Sequence, residues 1–597
     1  MITLAAKLEN IISLAIKEKL GLEDALPLLM PTKDEKHGDY QCNAAMGLSK
    51  RLKMNPRQIG QQLSEAFVEI DKRIAQQNGQ EPIIATCEVA GPGFVNITLQ
   101  DHVLSDMLKN ISEVQDKQDK KVIVDYSCPN VSKQLHVGHL RSTIIGDAVC
   151  RILGYLGYDV RRDNHVGDWG TQFGLLCAWI MDHAKVDCEE ADLSDLEALY
   201  RESQALAQED EHFRELSRAR VVALHQGDPE TLRVWRCIVD KSLEHIYKLY
   251  ARLNVLLTRD DVVGESFYNP MLPEVVADLQ KRFPAGSRPM EVVKNQGAVC
   301  VFMYKEDGSP MFANPEGEPL PLIIQKTDGA YLYATTDLAC LRYRTQELKA
   351  DWIIYTTDLR QSLHFKMFFA AGNIAGWVGN TKLEHVPFGS VLGQDNKPLK
   401  TRAGRNIHLA DLLQEAVDMA RSNIQTGQGR EFSEAEIEEI AEAVGIGAVK
   451  YADLSQNRLS DYVFSFDKML AMEGNTAPYL LYAYARIRSI VRKAGEFKLG
   501  DIVISHPAER RLLLQLARFN EIIAQVADGW RLNLLCDYLY TLSGLYMKFY
   551  ENCPVLSAPE ADIRSSRLTI CSETARVLQF GLGWVHTHEG RMQLIGI

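Results

Sequence analysis

The sequence predicts an α/β protein, in which a parallel-sheet domain lies between a small α+β domain and an all-α helical bundle. Strand-like and helical segments alternate from residue 121, where an apolar run at residues 122–124 precedes a helical pattern that begins at Leu140. Such alternation is typical of a parallel sheet that binds ligands at the carboxyl ends of its strands. Mixed helix and strand patterns precede this region, and after residue 445 only helical periodicity remains.

The length of the chain predicts about three domains. With 597 residues it is too long for a single core, because cores stop growing near roughly 250–300 residues. The α+β domain covers residues 1–115 and ends at a polar, lysine-rich connector. The parallel-sheet domain covers residues 116–445 and carries a charged helical insertion at about 186–255. The helical bundle covers residues 446–597.

The composition is that of an ordinary globular protein and argues against several classes. A net charge of −13 opposes a generally basic nucleic-acid binder, although it leaves room for a local cluster of Lys and Arg. The twelve cysteines lack zinc-finger spacing, which indicates thiols in a reducing compartment. No apolar run approaches the ~20 residues of a membrane span. The amino-terminal helix contains Glu9 and Glu18 and no arginine, unlike a transit peptide. We therefore expect a cytoplasmic protein.

The most informative stretch is VIVDYSCPNVSKQLHVGHLRSTIIG, residues 122–146. Its strand ends before Pro129, and His136 and His139 stand where a helix begins. The N–H groups and the dipole at a helix start attract anions, and Gly138 lets a ligand approach the backbone without a Cβ in the way. Two histidines three residues apart are also common on ordinary helix surfaces. Their place at a strand-to-helix junction favours a nucleotide phosphate.

Several motifs in the same order carry a resemblance to a known family. The sequence His136-Val137-Gly138-His139 resembles the His-Ile-Gly-His signature of class I aminoacyl-tRNA synthetases, whose catalytic domain is Rossmann-like. Together with NHVGDWGTQFG at 164–174 and RQSLHFK at 360–366, it makes the chain resemble arginyl-tRNA synthetases over almost its whole length. The resemblance implies an arginine–tRNA ligase. Such an enzyme activates L-arginine with ATP as an adenylate, transfers it to the 3′ end of its tRNA, and needs the tRNA even for activation.

The resemblance also implies how ATP is bound. His136, Gly138, His139 and Lys133 are expected at the phosphates. The family's second phosphate-binding loop, usually Lys-Met-Ser-Lys-Ser, is replaced here by LGQDNKPLKTRAGR at 392–405. The cations expected to act from this loop are Lys397, Lys400 and Arg402. Arginyl enzymes commonly depart from the standard loop in this way, and Lys133 is then thought to replace the missing lysine. An exposed basic turn is the alternative interpretation.

For the amino acid, a guanidinium needs carboxylates placed to accept its planar fork. The family pattern carries over to a pocket of six residues: Asp125, Asn130, Glu265, Tyr333, Asp337 and Gln361. Of these, Glu265, Tyr333 and Asp337 are assigned to the guanidinium. Asn130 and Gln361 are assigned to the α-amino and carboxylate end, with Asp125 nearby. Any one of these acids alone is equally compatible with a structural role. Magnesium is expected only with ATP, with no dedicated metal site and no tightly bound cofactor.

Contacts to tRNA are expected in both flanking domains. The amino-terminal extension of arginyl enzymes contacts the outer corner of the tRNA near the D-loop. Tyr40, Gln41 and Asn43 are candidates for that contact, by stacking and amide hydrogen bonds. Tyr482 and Arg486 are four residues apart and share a helix face, which by resemblance faces the anticodon loop, and Met592 is a further candidate there. A tyrosine packed inside a turn and an ordinary aromatic–cation pair on a bundle surface are the alternatives.

Three other functions are weighed against this one. A ligase for cysteine shares the helical bundle, but the acids at Glu265 and Asp337 do not suit a thiol. A non-catalytic paralogue that only binds tRNA is opposed by the intact His136, His139 and Lys133. A plain nucleotidyltransferase gives no reason for the helical bundle. The expected partners are therefore tRNA(Arg), L-arginine and ATP, with no membrane, and the chain is expected to be a monomer.

Overall fold

The computed structural model describes residues 3–32, 34–108, 111, 115–131, 133–189, 196–397, 399, 407–426 and 432–583. The chain forms two compact units. The terminal unit combines the chain up to Gln115 with the chain from Met472 onward. The central unit extends from Asp116 to Ala471.

The amino-terminal part of the terminal unit is an antiparallel sheet with helices. Its elements are α1 (Leu4–Leu20), β1 (Leu29–Pro31), β2 (Tyr40–Cys42), α2 (Ala44–Leu52), α3 (Pro56–Asn78), β3 (Ile84–Ala90), β4 (Phe94–Leu99) and α4 (Asp101–Leu108). The strands lie in the order β1-β2-β4-β3 and every neighbouring pair is antiparallel. Helix α3 begins where it does because the Asn55 side chain accepts a hydrogen bond from the amide of Arg57, and Pro56 fits the first turn.

The central unit alternates strands and helices. Its elements are β5 (Lys121–Asp125), α5 (Val137–Tyr155), β6 (Asp159–Asp163), α6 (Thr171–Ala178), α7 (Leu196–Glu209), α8 (Glu211–Gln226), α9 (Pro229–Arg252), α10 (Glu265–Tyr268), α11 (Leu272–Arg282), β7 (Met290–Asn295), β8 (Ala298–Met303), β9 (Leu322–Gln325), α12 (Tyr333–Gln346), β10 (Trp352–Tyr355), α13 (Ser362–Ile374), β11 (Lys382–His385), β12 (Val391–Leu392), α14 (Leu409–Thr426), α15 (Glu434–Leu454), β13 (Tyr462–Val463) and α16 (Phe466–Met469).

The main sheet of the central unit is parallel throughout. Its strand order is β11-β10-β5-β6, and β5, α5 and β6 form a βαβ unit. Strand β5 is apolar along its length because it lies inside the sheet: Val122 and Val124 are fully buried and Ile123 nearly so. The predicted α/β class is confirmed. The strands β7, β8 and β9 form a separate antiparallel sheet.

The structure contradicts one expectation about the cysteines, at a pair of residues in the helical insertion. All twelve cysteines were expected to be thiols, but Cys188 is joined to Cys237 of α9 by a disulfide. The other ten are free thiols. Spacing along the chain could not show this pair, because Cys188 precedes the insertion helices and Cys237 lies in the last of them. The fold brings the two sulfur atoms together beneath the insertion.

The carboxyl-terminal part of the terminal unit is helical. Its elements are α17 (Ala477–Ala494), α18 (Pro507–Ala517), α19 (Phe519–Ala527), α20 (Asn533–Asn552) and α21 (Ala561–Leu582). The predicted boundary between residues 445 and 446 falls inside α15, whereas the central unit continues to Ala471. The short strand β13 also lies beyond that boundary, where only helices were expected, because it pairs with β12 of the central unit.

Within the terminal unit, the two ends of the chain are joined by buried polar contacts. The Tyr40 hydroxyl lies 2.8 Å from the Glu521 carboxylate, to which it donates. The Arg510 guanidinium makes two hydrogen bonds to the carboxylate of Asp39, at 2.7 and 2.9 Å. Paired hydrogen bonds of this kind fix orientation as well as charge. The amino-terminal sheet and the carboxyl-terminal helices therefore form one packed body.

Candidate active site

The carboxyl ends of three neighbouring strands meet at one buried arginine. Asp125 of β5 is in register with Asp163 of β6 and with Tyr355 of β10. The Arg344 guanidinium, fully buried on α12, lies 2.5 Å from Asp125 and 3.1 Å from Asp163. It also lies 5.3 Å from the centre of the Tyr355 ring. Two buried carboxylates in adjacent strands need such a cation, because unpaired charges in the interior are costly.

A left-handed turn carries the chain out of β5 towards the histidine motif. Ser127 and Cys128 both have positive φ angles, 71° and 47°, which are unfavourable for residues other than glycine. The turn is held by side chains of the surrounding elements: the amide of Ser127 donates to the Ser142 hydroxyl at 3.0 Å, and that of Cys128 to the Asn164 side chain at 3.1 Å. The strain is thus stored where the chain leaves the sheet.

The first cluster of the site, here called the histidine corner, consists of Lys133, His136, Gly138 and His139. His136 caps α5: its Nδ1 accepts a hydrogen bond from the amide of Gly138 at 3.0 Å. In return, the Nδ1 of His139 accepts from the amide of His136 at 3.1 Å. The two rings lie 4.0 Å apart, centre to centre. The two histidines therefore close the start of the helix as a reciprocal capping pair.

These backbone contacts also set where the histidine protons are. Because each Nδ1 is an acceptor, a neutral ring carries its proton on Nε2 and can donate it to a ligand. Burial is the main cause that lowers the pKa of His139 to about 3; the neighbouring His136 and Lys133 contribute to the decrease, and a hydrogen bond with the His136 backbone opposes it. His139 is thus neutral at physiological pH. The corner offers directed N–H donors at a helix start, which suit an anion.

A side chain at position 138 would clash with the His136 ring, so glycine is required here for more than access of a ligand to the backbone. A Cβ at this position would lie 2.8 Å from Cε1 and 2.9 Å from Nδ1 of His136, which is closer than van der Waals contact allows. The residue is also exposed. The absence of a side chain therefore lets the His136 ring fold back over the first turn of α5 and cap it.

The predicted lysines lie on either side of these histidines in the sequence. Lys133 is exposed on the loop that leads to His136. Lys397 is exposed in a turn that Asp395 closes, accepting from the Lys397 amide at 3.1 Å. The chain then returns to the motif, since the amide of Val137 donates to the carbonyl of Ile407 at 3.3 Å. Lys400, Arg402 and Met592 lie outside the described residues.

The second cluster, here called the carboxylate corner, consists of Glu265, Tyr333, Asp337 and His364. Glu265 opens α10, and its amide donates to the carbonyl of Val166 at 3.0 Å, in the loop after β6. Burial raises the pKa of the Glu265 carboxyl to about 7, and the negative charges of Asp168 and Asp337 add to the rise, which His165 opposes. The Asp337 carboxylate is therefore close enough to act on the charge of Glu265.

Asp337 and Tyr333 are brought together by a histidine. The Nε2 of His364 lies 2.5 Å from the Asp337 carboxylate, and its ring lies 4.7 Å from that of Tyr333. Tyr333 is 64% exposed, while the Asp337 side chain is only partly exposed. The corner thus presents an exposed aromatic face above acidic groups. This is the chemistry that a guanidinium requires, since it stacks on rings and pairs with carboxylates.

Asn130 and Gln361 each lie on a loop that connects a strand of the parallel sheet to one of the two corners. Asn130 precedes the histidine corner, and Gln361 precedes His364 of the carboxylate corner. Asn130 forms a parallel bridge with Gly167, in the same loop whose Val166 carbonyl accepts from Glu265. Gln361 is exposed and stands immediately before α13, three residues ahead of His364. Both residues therefore follow a strand of the parallel sheet, β5 for Asn130 and β10 for Gln361, as expected for ligand-binding loops.

One of the predicted contacts needs correction. Tyr40 was expected to stack on tRNA, but its ring is fully buried in β2 and its hydroxyl is bound by Glu521, so that it has no exposed surface to offer a base. Asp125, predicted near the substrate arginine, is largely buried, and its partners are Arg344 and the thiol of Cys128, which donates at 2.8 Å. Its place near the substrate stays a prediction.

The remaining predicted tRNA contacts lie at or near the surface. The Gln41 amide donates to Asn96 at 2.8 Å and is half-buried, and Asn43 stands just before α2. Tyr482 is 43% exposed, and the Arg486 guanidinium lies 5.1 Å from its ring. On its other side, Arg486 lies 4.9 Å from the ring of Tyr550, a partner that sequence spacing did not identify.

Two site residues were missed by the sequence predictions, Arg344 and His364. His364 stands within the RQSLHFK motif, so its position next to Gln361 could have drawn attention to it. Arg344 carries no such signal, because an arginine in a helix is usually on the surface. Its burial becomes evident only when the two acidic strand ends are placed side by side.

Comparison with known proteins finds the same family along nearly all of the chain. Residues 6–99 match the family model described as the arginyl tRNA synthetase N terminal domain. Residues 101–466 match tRNA synthetases class I (R), catalytic domain, and residues 480–586 match the DALR anticodon binding domain. An arginine–tRNA ligase of Synechococcus elongatus is 45% identical over 599 aligned positions, which cover 97% of each chain. The chain belongs to the arginyl-tRNA synthetase family.

Other members of the family support the assignment. An arginine–tRNA ligase of Escherichia coli is 45% identical over 569 positions, covering 94% of each chain. Among solved structures, the arginyl-tRNA synthetase of Plasmodium falciparum is 30% identical, with a TM-score of 0.80 and coverage of 100% of this chain and 99% of that one. The Thermus thermophilus arginyl-tRNA synthetase shares the fold, with a TM-score of 0.77 at 24% identity and the same coverage.

Within the described ranges, helices long and apolar enough to cross a bilayer do not occur. The same residues contain no group of three or more His, Cys, Asp or Glu side chains that could hold a metal ion.

Proposed function

We propose that the chain is an arginine–tRNA ligase whose histidine corner binds ATP and whose carboxylate corner binds L-arginine. The carboxylate of arginine attacks the α-phosphate of ATP, and pyrophosphate leaves. A ribose hydroxyl at the 3′ end of tRNA then attacks the carbonyl carbon of the adenylate, and AMP leaves. The observation that carries this proposal is that the His136–His139 pair and His364, which binds Asp337, follow the adjacent strands β5 and β10 of one parallel sheet, in a chain that belongs to the arginyl-tRNA synthetase family.

In the histidine corner, the Nε2–H groups of His136 and His139 donate to phosphate oxygens of ATP. Because His139 is neutral, its stabilisation of the departing pyrophosphate comes from a directed hydrogen bond, and the positive charge comes from nearby cations. Lys133 and Lys397 supply that positive charge, with Lys400 and Arg402 as further candidates. The reaction needs positioning more than covalent help from the protein.

In the carboxylate corner, Glu265 and Asp337 accept the guanidinium fork and the Tyr333 ring lies against its face. Asn130 and Gln361 bind the α-amino and carboxylate groups, so that the carboxylate points towards ATP. A lysine substrate would leave one carboxylate without its planar partner, and cysteine would leave both. Specificity of this kind needs no separate editing step.

The remaining partners follow from the same arrangement. The histidine corner offers N–H donors and a lysine, which suit phosphate oxygens and not a bare cation, so magnesium would be held by the phosphates of ATP. Gln41 and Asn43 would contact the outer corner of tRNA(Arg), and Tyr482 and Arg486 its anticodon loop, by stacking on unpaired bases. We propose that the tRNA is needed for activation and that the enzyme acts as a cytoplasmic monomer.

The test is exchange of labelled pyrophosphate into ATP, with and without total tRNA, using arginine, lysine and cysteine in parallel. Exchange that requires arginine and tRNA together supports the activation chemistry, the specificity and the tRNA requirement. Exchange with arginine alone would remove only the tRNA requirement. No exchange under any condition, with tRNA still retained on a filter, would favour a non-catalytic tRNA-binding paralogue and overturn the proposal.

A further inference from the structure

Arg141 is a buried charge close to the histidine corner that the proposed reaction does not use. It lies on α5, two residues after His139, and its side chain is 1% exposed. Its Nε lies 3.1 Å from the carboxylate of Asp453 on α15, which is fully buried. A buried ion pair is weak as a source of stability, so its position calls for another explanation.

A second nitrogen of the Arg141 guanidinium, Nη1, binds two backbone segments. Its Nη1 donates to the carbonyl oxygen of Gly389 at 2.7 Å and to that of Ser460 at 3.1 Å. The rings of Tyr462 and Phe388 lie 5.3 and 5.8 Å from its central carbon. The packing here is close, because a Cβ on Gly389 would lie 2.7 Å from the Ser460 backbone.

These two segments open the pair of short strands that leads to Lys397. Gly389 precedes β12 and Ser460 precedes β13, and the two strands pair in parallel. The chain continues from β12 into the turn of Lys397. It returns to the histidine corner, where His136 bridges His408 and the amide of Leu409 donates to Leu135 at 2.8 Å. The stretch between Gly389 and His408 is therefore fastened to α5 or its preceding loop at both ends.

We infer that Arg141 is a positioning residue, which fixes the segment carrying Lys397 relative to His136 and His139. The inference rests on the proposed function, since it requires that these groups act on one ATP molecule. Its role depends on the planar fork, which reaches Asp453 and the two carbonyls at once. A lysine ammonium is a point charge and cannot hold that geometry.

The experiment compares Arg141→Lys with Arg421→Lys in the tRNA-dependent exchange assay. Arg421 is a matched control, because it also pairs with a carboxylate on α15, Glu438, but does so from α14 in a pair that is much more exposed. We expect Arg141→Lys to raise the KM for ATP about tenfold and the KM for arginine less than about twofold. Arg421→Lys should change neither KM. A lower Tm for Arg141→Lys with an unchanged KM for ATP would show a merely structural role and overturn the inference.

A double-mutant cycle with Lys397→Ala tests whether Arg141 affects the KM for ATP through Lys397. If Arg141 acts by placing Lys397, removing Lys397 should cost several-fold less in the KM for ATP when Arg141 is already lysine. Effects that simply multiply would overturn this part of the inference. If Arg141→Lys does not fold, Asp453→Asn, which keeps the size of the side chain, takes its place in the cycle. Loss of exchange in the unaltered protein would instead overturn the proposed function and the inference with it.

Discussion

The histidine corner and the carboxylate corner are built in different ways. The histidine corner comes from one short stretch, Lys133 to His139, and its geometry is fixed by hydrogen bonds between ring nitrogens and backbone amides. The carboxylate corner takes Glu265, Asp337 and His364 from three separate helices. The side chain of His364 holds the Asp337 carboxylate, whereas Glu265 is placed by the hydrogen bond from its amide to Val166. One corner is thus formed locally, and the other is assembled from distant parts of the chain.

This difference determines how each corner responds to its surroundings. His139 is neutral across the physiological range, because its pKa of about 3 is far below neutral pH. Glu265 has a pKa of about 7, so its charge changes near neutral pH and depends on Asp168 and Asp337. The histidine corner is therefore a set of fixed donors, whereas the carboxylate corner has a charge that its ligand can change.

The largest effect is expected for the N–H donors of the histidine corner. His139→Ala should lower kcat in pyrophosphate exchange roughly 100- to 1,000-fold, because one directed donor to the phosphates is lost. His139→Gln should lose clearly less, since its amide nitrogen can take the place of Nε2. Steady-state kinetics at saturating arginine measures both variants. Equal losses for alanine and glutamine would contradict a role for the Nε2 proton.

A smaller effect is expected at the carboxylate corner. Asp337→Ala should raise the KM for arginine roughly tenfold to 100-fold, because a charged hydrogen bond to the guanidinium is removed. The KM for ATP should change less than about threefold. The exposed Asp307, whose carboxylate only closes a turn with Ser309, provides the control as Asp307→Ala. Equal changes in both KM values would argue against guanidinium recognition by Asp337.

The pH dependence of arginine binding should show whether Glu265 of the carboxylate corner changes its charge near neutral pH. Below pH 7 the Glu265 carboxyl holds a proton that guanidinium binding must release, so affinity should rise with pH and level off above 7. Between pH 6 and pH 8 the gain should be about tenfold. Calorimetry in two buffers of different ionisation enthalpy measures the affinity and the proton released. Glu265→Gln should abolish the release, and a wild-type profile that is flat over this range would refute the assignment.

The smallest effect is expected at His364, which contacts the carboxylate and not the substrate. His364→Ala should raise the KM for arginine about fivefold, because Asp337 loses the group that orients it. His364→Gln, which can still donate to Asp337, should recover most of the loss. In an Asp337→Ala background, His364→Ala should add little. A full additional effect in that background would mean that His364 acts on arginine by another route.

The sequence predicts the histidine corner well because that corner is local. The end of the strand, the turn, the capping pair and the first turns of the helix all lie within residues 122–146, and short-range hydrogen bonds decide the geometry of the capping pair. The α/β class follows from the same local alternation. The three-dimensional partners of Glu265 and Asp337 could be proposed only by resemblance, because no local pattern links α10, α12 and α13.

The wrong predictions for Tyr40 and for two of the cysteines share one cause, which is a buried partner far away in the sequence. Asp125 has such a partner too, because Arg344 on α12 pairs with it at the end of β5. Tyr40 stands in a turn-like, polar stretch, yet its acceptor is 481 residues away at Glu521. The thiols of Cys188 and Cys237 follow the same rule. Chain order carries no information about such pairs until the fold is known.

In the terminal unit the amino-terminal sheet packs against the carboxyl-terminal helices, which affects the order in which parts of the protein can fold during synthesis. The ribosome completes the amino-terminal sheet hundreds of residues before it produces α18 and α19, which carry Arg510 and Glu521. Until then Asp39 has no guanidinium and the Tyr40 hydroxyl has no carboxylate to bind. The amino-terminal sheet therefore reaches its final packing only after α18 and α19 have been translated.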